Sequence, residues 1–253
     1  MIDIAAAAER LDVAAIDAVA TEQFGDALGL EDAYRVQQAL IARRIARGER
    51  GIGVKLGFTS RAKMIQMGVG DLIWGRLTDA MLVEDGGEIR LSRFIHPRVE
   101  PELAFLIGRR LTGRVSMLEA QAAITAVAPA MEIIDSRYRD FRFSLPDVIA
   151  DNTSGAALVV GPWSSSDVDI ANLGMVMSID GEAAQIGSTA AILGHPLRSI
   201  VAAARLAGAA SEALEPGDIL LAGAATAAEP LRTGIHMIVE AQYLGRAAFS
   251  VAG

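Results

Sequence analysis

Apolar positions recur along this 253-residue chain with two different periods, and the change from one to the other divides it. Over residues 31–47, Ala33-Tyr34, Val36, Ala39-Leu40-Ile41 and Ile45 fall near the 3.6-residue period. That spacing predicts an amphipathic helix, with Gly48 as its stop. From Gly51 the pattern changes. Gly51-Ile52-Gly53-Val54-Lys55-Leu56-Gly57-Phe58 alternates small and apolar residues, as a strand under close backbone approach does. Ser60 is expected to cap a short helix reaching Met67. Further on, short apolar runs bounded by turn residues predict strands. They include extended pieces around Asp85-Gly86-Gly87, a run at 98–107, another from 130 to 135, and one at 156–161. A hairpin is expected about Asp180-Gly181, and closing strands at 219–221, 234–239 and 247–251. Helices are predicted at 116–128, with Ser116 and Glu119 as a capping box and Pro129 as the stop, and at 196–207. The organisation is therefore a helical N-terminal region, 1–50, on a β-rich core, 51–253. That is an α+β chain rather than an alternating βαβ one.

Composition narrows the possibilities. Apolar residues make up 52% of the chain, and mean hydropathy is +0.35, so a sizeable core is expected. No apolar run approaches the roughly 20 residues of a membrane span. The start, Met1-Ile2-Asp3-Ile4, lacks the basic opening of a signal peptide, so a cytoplasmic location is expected. The net charge of −8 and the short basic clusters at Arg43-Arg44 and Arg109-Arg110 argue against a nucleic-acid partner. The absence of cysteine excludes disulfides, thiolate metal sites and a cysteine nucleophile.

The chemistry concentrates in carboxylates set among apolar residues. Glu100 and Glu102 lie two apart in Val99-Glu100-Pro101-Glu102, so on a strand they share a face. Glu132 lies in Met131-Glu132-Ile133-Ile134. Buried glutamates need compensation, and a hard divalent cation such as Mg²⁺ or Mn²⁺ supplies it; exposure on an edge strand is the competing reading. Lys55, flanked by glycine and apolar residues, is either a desolvated acid or base or a lysine reaching the surface. Arg137 suits a substrate carboxylate. Asn152 and Ser154 are hydrogen-bond donors or turn residues. His96 and His195 read first as structural.

Five runs stand in a fixed order. They are Gly53-Val54-Lys55-Leu56-Gly57-Phe58-Thr59-Ser60, Met67-Gly68-Val69, His96-Pro97-Arg98-Val99-Glu100-Pro101-Glu102, Glu132-Ile133-Ile134-Asp135-Ser136-Arg137-Tyr138 and Ala150-Asp151-Asn152-Thr153-Ser154. From about residue 30 onward the chain resembles the 4-oxalocrotonate decarboxylase and 2-oxopent-4-enoate hydratase family, within the fumarylacetoacetate hydrolase superfamily. The resemblance implies Mg²⁺ or Mn²⁺ held by Glu100, Glu102 and Glu132. It implies Lys55 in the active site; Arg137 and Ser154 are expected beside it as catalytic residues, and Leu56, His96, Asp135, Tyr138 and Thr226 as substrate contacts. It also implies mixed β-sheets curled into a barrel-like roll, with a helical N-terminal region.

Homo-oligomers and work in the meta-cleavage degradation of aromatic compounds are implied as well. The runs Ile95-His96-Pro97 and 134–143 resemble the decarboxylases more closely than the hydratases. The expected reaction is loss of CO₂ from 2-oxo-3-hexenedioate, giving 2-hydroxypenta-2,4-dienoate. The alternative is the hydratase reaction, which adds water to that dienoate and forms 4-hydroxy-2-oxopentanoate. A complex with the partner hydratase is a further expectation. Pro101 stands where the family usually has alanine. Gly223-Ala224-Ala225-Thr226 replaces a more glycine-rich pattern, and both departures bear on pocket shape.

Overall fold

Two helices precede the first strand in the computed structural model, which describes residues 2–60, 65 and 70–253. Helix α1 (Ile4–Asp17) is capped by the Asp3 side chain. Helix α2 (Leu30–Ala46) ends where the periodicity predicts, just before Gly48. Their apolar faces, with Ala8, Leu11, Val36 and Leu40, pack on Ile73, Tyr138, Val148 and Ile149 of the core. Asp12 ties the pair together by accepting from Arg43 at 2.9 Å and from Arg47 at 2.6 Å. Most of the helix expected between Ser60 and Met67, and the Met67-Gly68-Val69 run, lie outside the described residues.

The core is built on two sheets. The first contains β1 (Gly51–Gly57), β2 (Ile73–Thr78), β3 (Leu82–Val83), β5 (Arg98–Ile107), β6 (Ile124–Ile134), β7 (Gly155–Val160) and β11 (Ile219–Leu221). Their order is β2-β1-β11-β5-β6-β7-β3. Two short strands join its middle, β8 (Ser164–Ser165) beside β6 and β12 (Glu229–Pro230) beside β5. The second sheet contains β4 (Glu88–Arg90), β9 (Gly174–Ile179), β10 (Glu182–Ser188), β13 (His236–Ala241) and β14 (Gly245–Ala252), in the order β10-β9-β13-β14-β4. Parallel and antiparallel pairs are mixed. The first sheet curls until β2 and β7, five places apart, touch. Leu77, Met81, Ala104, Ala128, Ala130, Leu158 and Leu221 fill the inside of the curl. The opposite face, with Val99, Leu103, Phe105, Met131 and Ile133, meets Met177, Met237 and Phe249 of the second sheet. The expected α+β class and the curled mixed sheets are found. Because β5 and β6 are covered on both faces, they read as nearly continuous apolar runs, and a carboxylate in either is conspicuous.

Three local differences have clear causes. The helix expected at 116–128 keeps its Ser116–Glu119 capping box but is only α3 (Met117–Ala122). Pro129 is not a helix stop. It lies within β6 opposite Leu103, and its carbonyl accepts from Gly161. Burial between two partner strands outweighs the helix preference of an alanine-rich run. The Asp85-Gly86-Gly87 turn lies between extended pieces as the pattern predicts, with β3 and β4 on its two sides in different sheets. Helix α4 (Leu145–Ala150), capped by a Ser144–Asp147 box, is not signalled by the periodicity. The Asp180-Gly181 hairpin and helix α5 (Leu197–Ala209) follow the pattern, and His195 accepts from the Leu197 N–H at its entry. Among the described residues no helix is long and apolar enough to cross a membrane.

Candidate metal and substrate site

Strand register gathers the carboxylates. Glu100 on β5 stands directly opposite Glu132 on β6, and Glu102 stands opposite Ala130, whose small side chain leaves room. Residues paired across neighbouring strands share a face, so all three glutamates point into the curl. Lys55 reaches the same face through two pairings, with Leu221 on β11 and from there to Ala104 on β5. One oxygen from each glutamate lies within 4.8 Å of the others. All four side chains are buried, Glu102 to 0% exposure.

Among the described residues, two oxygens of this cluster are left without a donor. Lys55 Nζ lies 3.0 Å from Glu132 Oε1 and donates to the Thr153 carbonyl at 2.8 Å. The Gly223 N–H donates to Glu102 Oε2 at 2.7 Å. Glu102 Oε1 and Glu132 Oε2 are buried with no hydrogen-bond donor among the described residues. Burial, with the charges of Glu132 and Glu100 adding to it, drives the Glu102 carboxyl well above the usual range. Burial also pushes Glu132 up to about 7, against the pull of Lys55. Three carboxylates and one ammonium carry two net negative charges when ionised. A divalent cation cancels that charge, and its preference for oxygen ligands suits this donor set. The residues present therefore fit Mg²⁺ or Mn²⁺.

A strained turn holds Lys55. Asn152, Thr153 and Ser154 have φ of 49°, 55° and 56°. Left-handed backbone at non-glycine residues costs on the order of 1–3 kcal/mol each and persists only where the surroundings enforce it. Here they do. The Asn152 side chain accepts from the Arg76 N–H at 2.8 Å and donates to the Arg76 carbonyl at 2.9 Å. Thr153 Oγ1 donates to the Trp74 carbonyl at 2.9 Å. Gly75 and Gly57 permit this approach, because a Cβ at either would lie 2.7 Å from the Asn152 carbonyl oxygen or 2.6 Å from Thr153 Cγ2.

A cavity of about 360 Å³ opens beside the cluster, lined by Lys55, Glu100, Ser60, Ala191 and the 224–227 segment. Of the expected substrate contacts, Thr226 and Leu56 line it, although the Leu56 side chain belongs to the main core. The other expected residues lie outside this cavity lining, in the following surroundings. The Tyr138 ring is wholly buried against the helices, and its hydroxyl donates to the Asp147 carbonyl at 3.0 Å. Asp135 accepts from the Ile95 and His96 N–H groups, both at 2.8 Å. The His96 ring packs on Phe141 at 5.0 Å. Arg137 is no free fork for a substrate. It pairs with Asp151 and donates to the Asp151 and Gly155 carbonyls. Ser154 Oγ is buried with no hydrogen-bond partner among the described residues, and Ser154 is not among those lining the cavity. Sequence reasoning misses the Thr153 carbonyl, the Gly223 N–H and Asp151. Only the turn-forming Asp151-Asn152 pair signals that segment.

Similar proteins match most of the chain. The family described as Fumarylacetoacetate (FAA) hydrolase C-terminal matches residues 63–252. A 4-oxalocrotonate decarboxylase from Pseudomonas sp. is 60% identical, over 97% of this chain and 97% of that one. A 2-keto-4-pentenoate hydratase from Paraburkholderia xenovorans strain LB400 is 37% identical, over 78% of this chain and 74% of its own. Among solved structures, 4-oxalocrotonate decarboxylase from Pseudomonas putida G7, complexed with magnesium and adipate, superposes with a TM-score of 0.95 at 36% identity. That match covers 98% of this chain and 97% of that one.

Proposed function

The chain belongs to the fumarylacetoacetate hydrolase family, and from that premise we propose that it is a metal-dependent carboxy-lyase acting on 2-oxo-3-hexenedioate (4-oxalocrotonate). The products are 2-hydroxypenta-2,4-dienoate and CO₂. The observation that carries this reading is the buried cluster of Glu100, Glu102 and Glu132, with ligand oxygens within 4.8 Å of one another, beside a cavity that Lys55 also lines. The P. putida decarboxylase, which binds magnesium and the dicarboxylate adipate, supports it.

Glu100, Glu102 and Glu132 would hold Mg²⁺ or Mn²⁺. A bound divalent cation there supplies Lewis acidity toward the carbonyl and adjoining carboxylate of a 2-oxo acid, stabilising the charge that develops as the distal carboxylate leaves. Lys55 faces that charge as a fixed ammonium. An ammonium has three protons. Among the described residues, two of these meet the Glu132 carboxylate and the Thr153 carbonyl, and the third is offered to the cavity that Lys55 lines, to stabilise the dienolate or to protonate it. The Gly223 N–H keeps one Glu102 oxygen engaged and so orients the carboxylate. Thr226 and the 224–227 main chain form the wall against which the substrate lies. Arg137 and Ser154 support the reaction from the turn behind Lys55 rather than by touching substrate.

Supplying each substrate separately to the purified protein with Mg²⁺ tests this function. Release of CO₂ from 2-oxo-3-hexenedioate is expected. Hydration of 2-hydroxypenta-2,4-dienoate without that release would establish the hydratase instead. The proposal extends to assembly as a homo-oligomer and to association with the pathway's hydratase, both measurable by light scattering of the protein alone and mixed with that enzyme.

A further inference from the structure

Lys55 owes its place to a chain of contacts that runs through residues remote from the substrate cavity. Its ammonium is fixed by the Thr153 carbonyl, and that carbonyl points at it because the 152–154 backbone is left-handed throughout. Arg137 closes this turn like a staple. Its guanidinium donates to the Asp151 carbonyl at 2.5 Å at one end and to the Gly155 carbonyl at 3.4 Å at the other. The Asp151 carboxylate aims the staple, since one oxygen takes Arg137 Nε and the other takes the Arg137 main-chain N–H at 3.0 Å. The far end of the turn borders the metal cluster, where a Cβ on Gly155 would sit 3.5 Å from both Glu132 Oε1 and Lys55 Cε.

We propose that Asp151 is a positioning residue, which acts through Arg137 to hold the 152–154 turn so that the Thr153 carbonyl fixes the Lys55 ammonium against Glu132. Neither Asp151 nor Arg137 lines the cavity. The inference rests on the reading that Lys55 takes part in the reaction. A turn whose only task was to reverse the chain would use glycine at left-handed positions. This one uses Asn, Thr and Ser, with the first two bonded to β2. The strain is thereby locked in rather than relaxed, which is how a preorganised group is held.

The chain has just two lysines, Lys55 and Lys63. A ¹³C-lysine NMR spectrum of the Mg²⁺-loaded protein therefore has two side-chain ε signals, assigned with Lys63→Arg. Asp151→Asn is expected to shift the Lys55 signal. It should also lower kcat by roughly tenfold or more, with KM changing less than about twofold. Asp151→Asn combined with Arg137→Met removes the staple without leaving an unpaired buried charge, and serves if the single variant does not fold. In a Lys55→Met background, Asp151→Asn should cost no further rate, because both changes act on one group. An unmoved Lys55 signal in a folded variant, or rate losses that simply add, would overturn the proposal. Absence of decarboxylation by the wild-type protein would instead overturn the assigned reaction, while the spectrum still decides whether Asp151 positions Lys55.

Discussion

Two buried ionic clusters lie on either side of the 151–155 turn, and they are built on opposite principles. In the Arg137–Asp151 cluster both carboxylate oxygens and all three guanidinium nitrogens find partners within the chain. In the cluster of Glu100, Glu102, Glu132 and Lys55, the equally buried Glu102 Oε1 and Glu132 Oε2 have no hydrogen-bond donor among the described residues. Burial alone does not separate them. What separates them is satisfaction. A buried polar group without a partner is costly, so it persists where something outside the chain completes it. The first cluster is finished by folding and makes a scaffold. The second, on the function proposed above, is completed by a cation.

The sharpest way to break this contrast is to remove a carboxylate from the unfinished cluster. Glu102→Gln or Glu132→Gln should lower kcat/KM by about 10³-fold, roughly 4 kcal/mol of transition-state stabilisation, measured as CO₂ release at saturating Mg²⁺. The two clusters should also respond with opposite signs in metal-free protein. Arg137→Met leaves the Asp151 charge unpaired and should destabilise by about 3–5 kcal/mol in urea unfolding. Glu102→Gln removes part of an uncompensated charge and should leave the metal-free protein as stable as before, or more so.

Metal sharpens the same distinction. Mg²⁺ at about 100 times its Kd should stabilise the protein by about 2.7 kcal/mol, visible as a rise in Tm that chelation reverses. Glu132→Gln should abolish that rise, whereas an Arg137 variant that folds should keep it.

The smallest effect belongs to a third cluster, Asp12 with Arg43 and Arg47, where the arginines are partly open to solvent. Burial pushes the Asp12 carboxyl up, but the hydrogen bonds and charges of Arg47 and Arg43 outweigh it and hold it below the usual value of 3.8. A lowered folded-state pKa contributes stability above the unfolded value and loses it as pH falls through the folded one. Asp12→Asn should therefore cost about 1 kcal/mol or less near neutrality, and nothing at a pH below the folded-state value. Urea unfolding at the two pH values measures the difference.

Strand periodicity makes much of the site legible in the sequence. Two residues apart on a strand is one face, so Glu100 and Glu102 have to point the same way, and the apolar neighbours of Glu132 mark it as buried. Lys55 between glycines is equally visible, since a lysine seldom sits in such a setting. The roles of Arg137, Asp135 and Tyr138 are not legible, because a polar side chain after an apolar run reads alike whether it meets substrate or backbone. Pro129 illustrates the same limit in the fold, where a residue that ends most helices instead sits inside a two-sided strand.

The sequence by itself determined which groups exist and how each is phased within its own element: three carboxylates and a lysine on strand positions among apolar residues, and the Ser116–Glu119 helix cap. Tertiary structure alone decided that Glu132 stands opposite Glu100 and that Thr153 holds a lysine 98 residues away. It also decided that Arg137 is consumed by Asp151. Local phase follows from backbone geometry, which every residue carries with it. Strand register and the sharing of hydrogen bonds depend on which partners folding brings within reach.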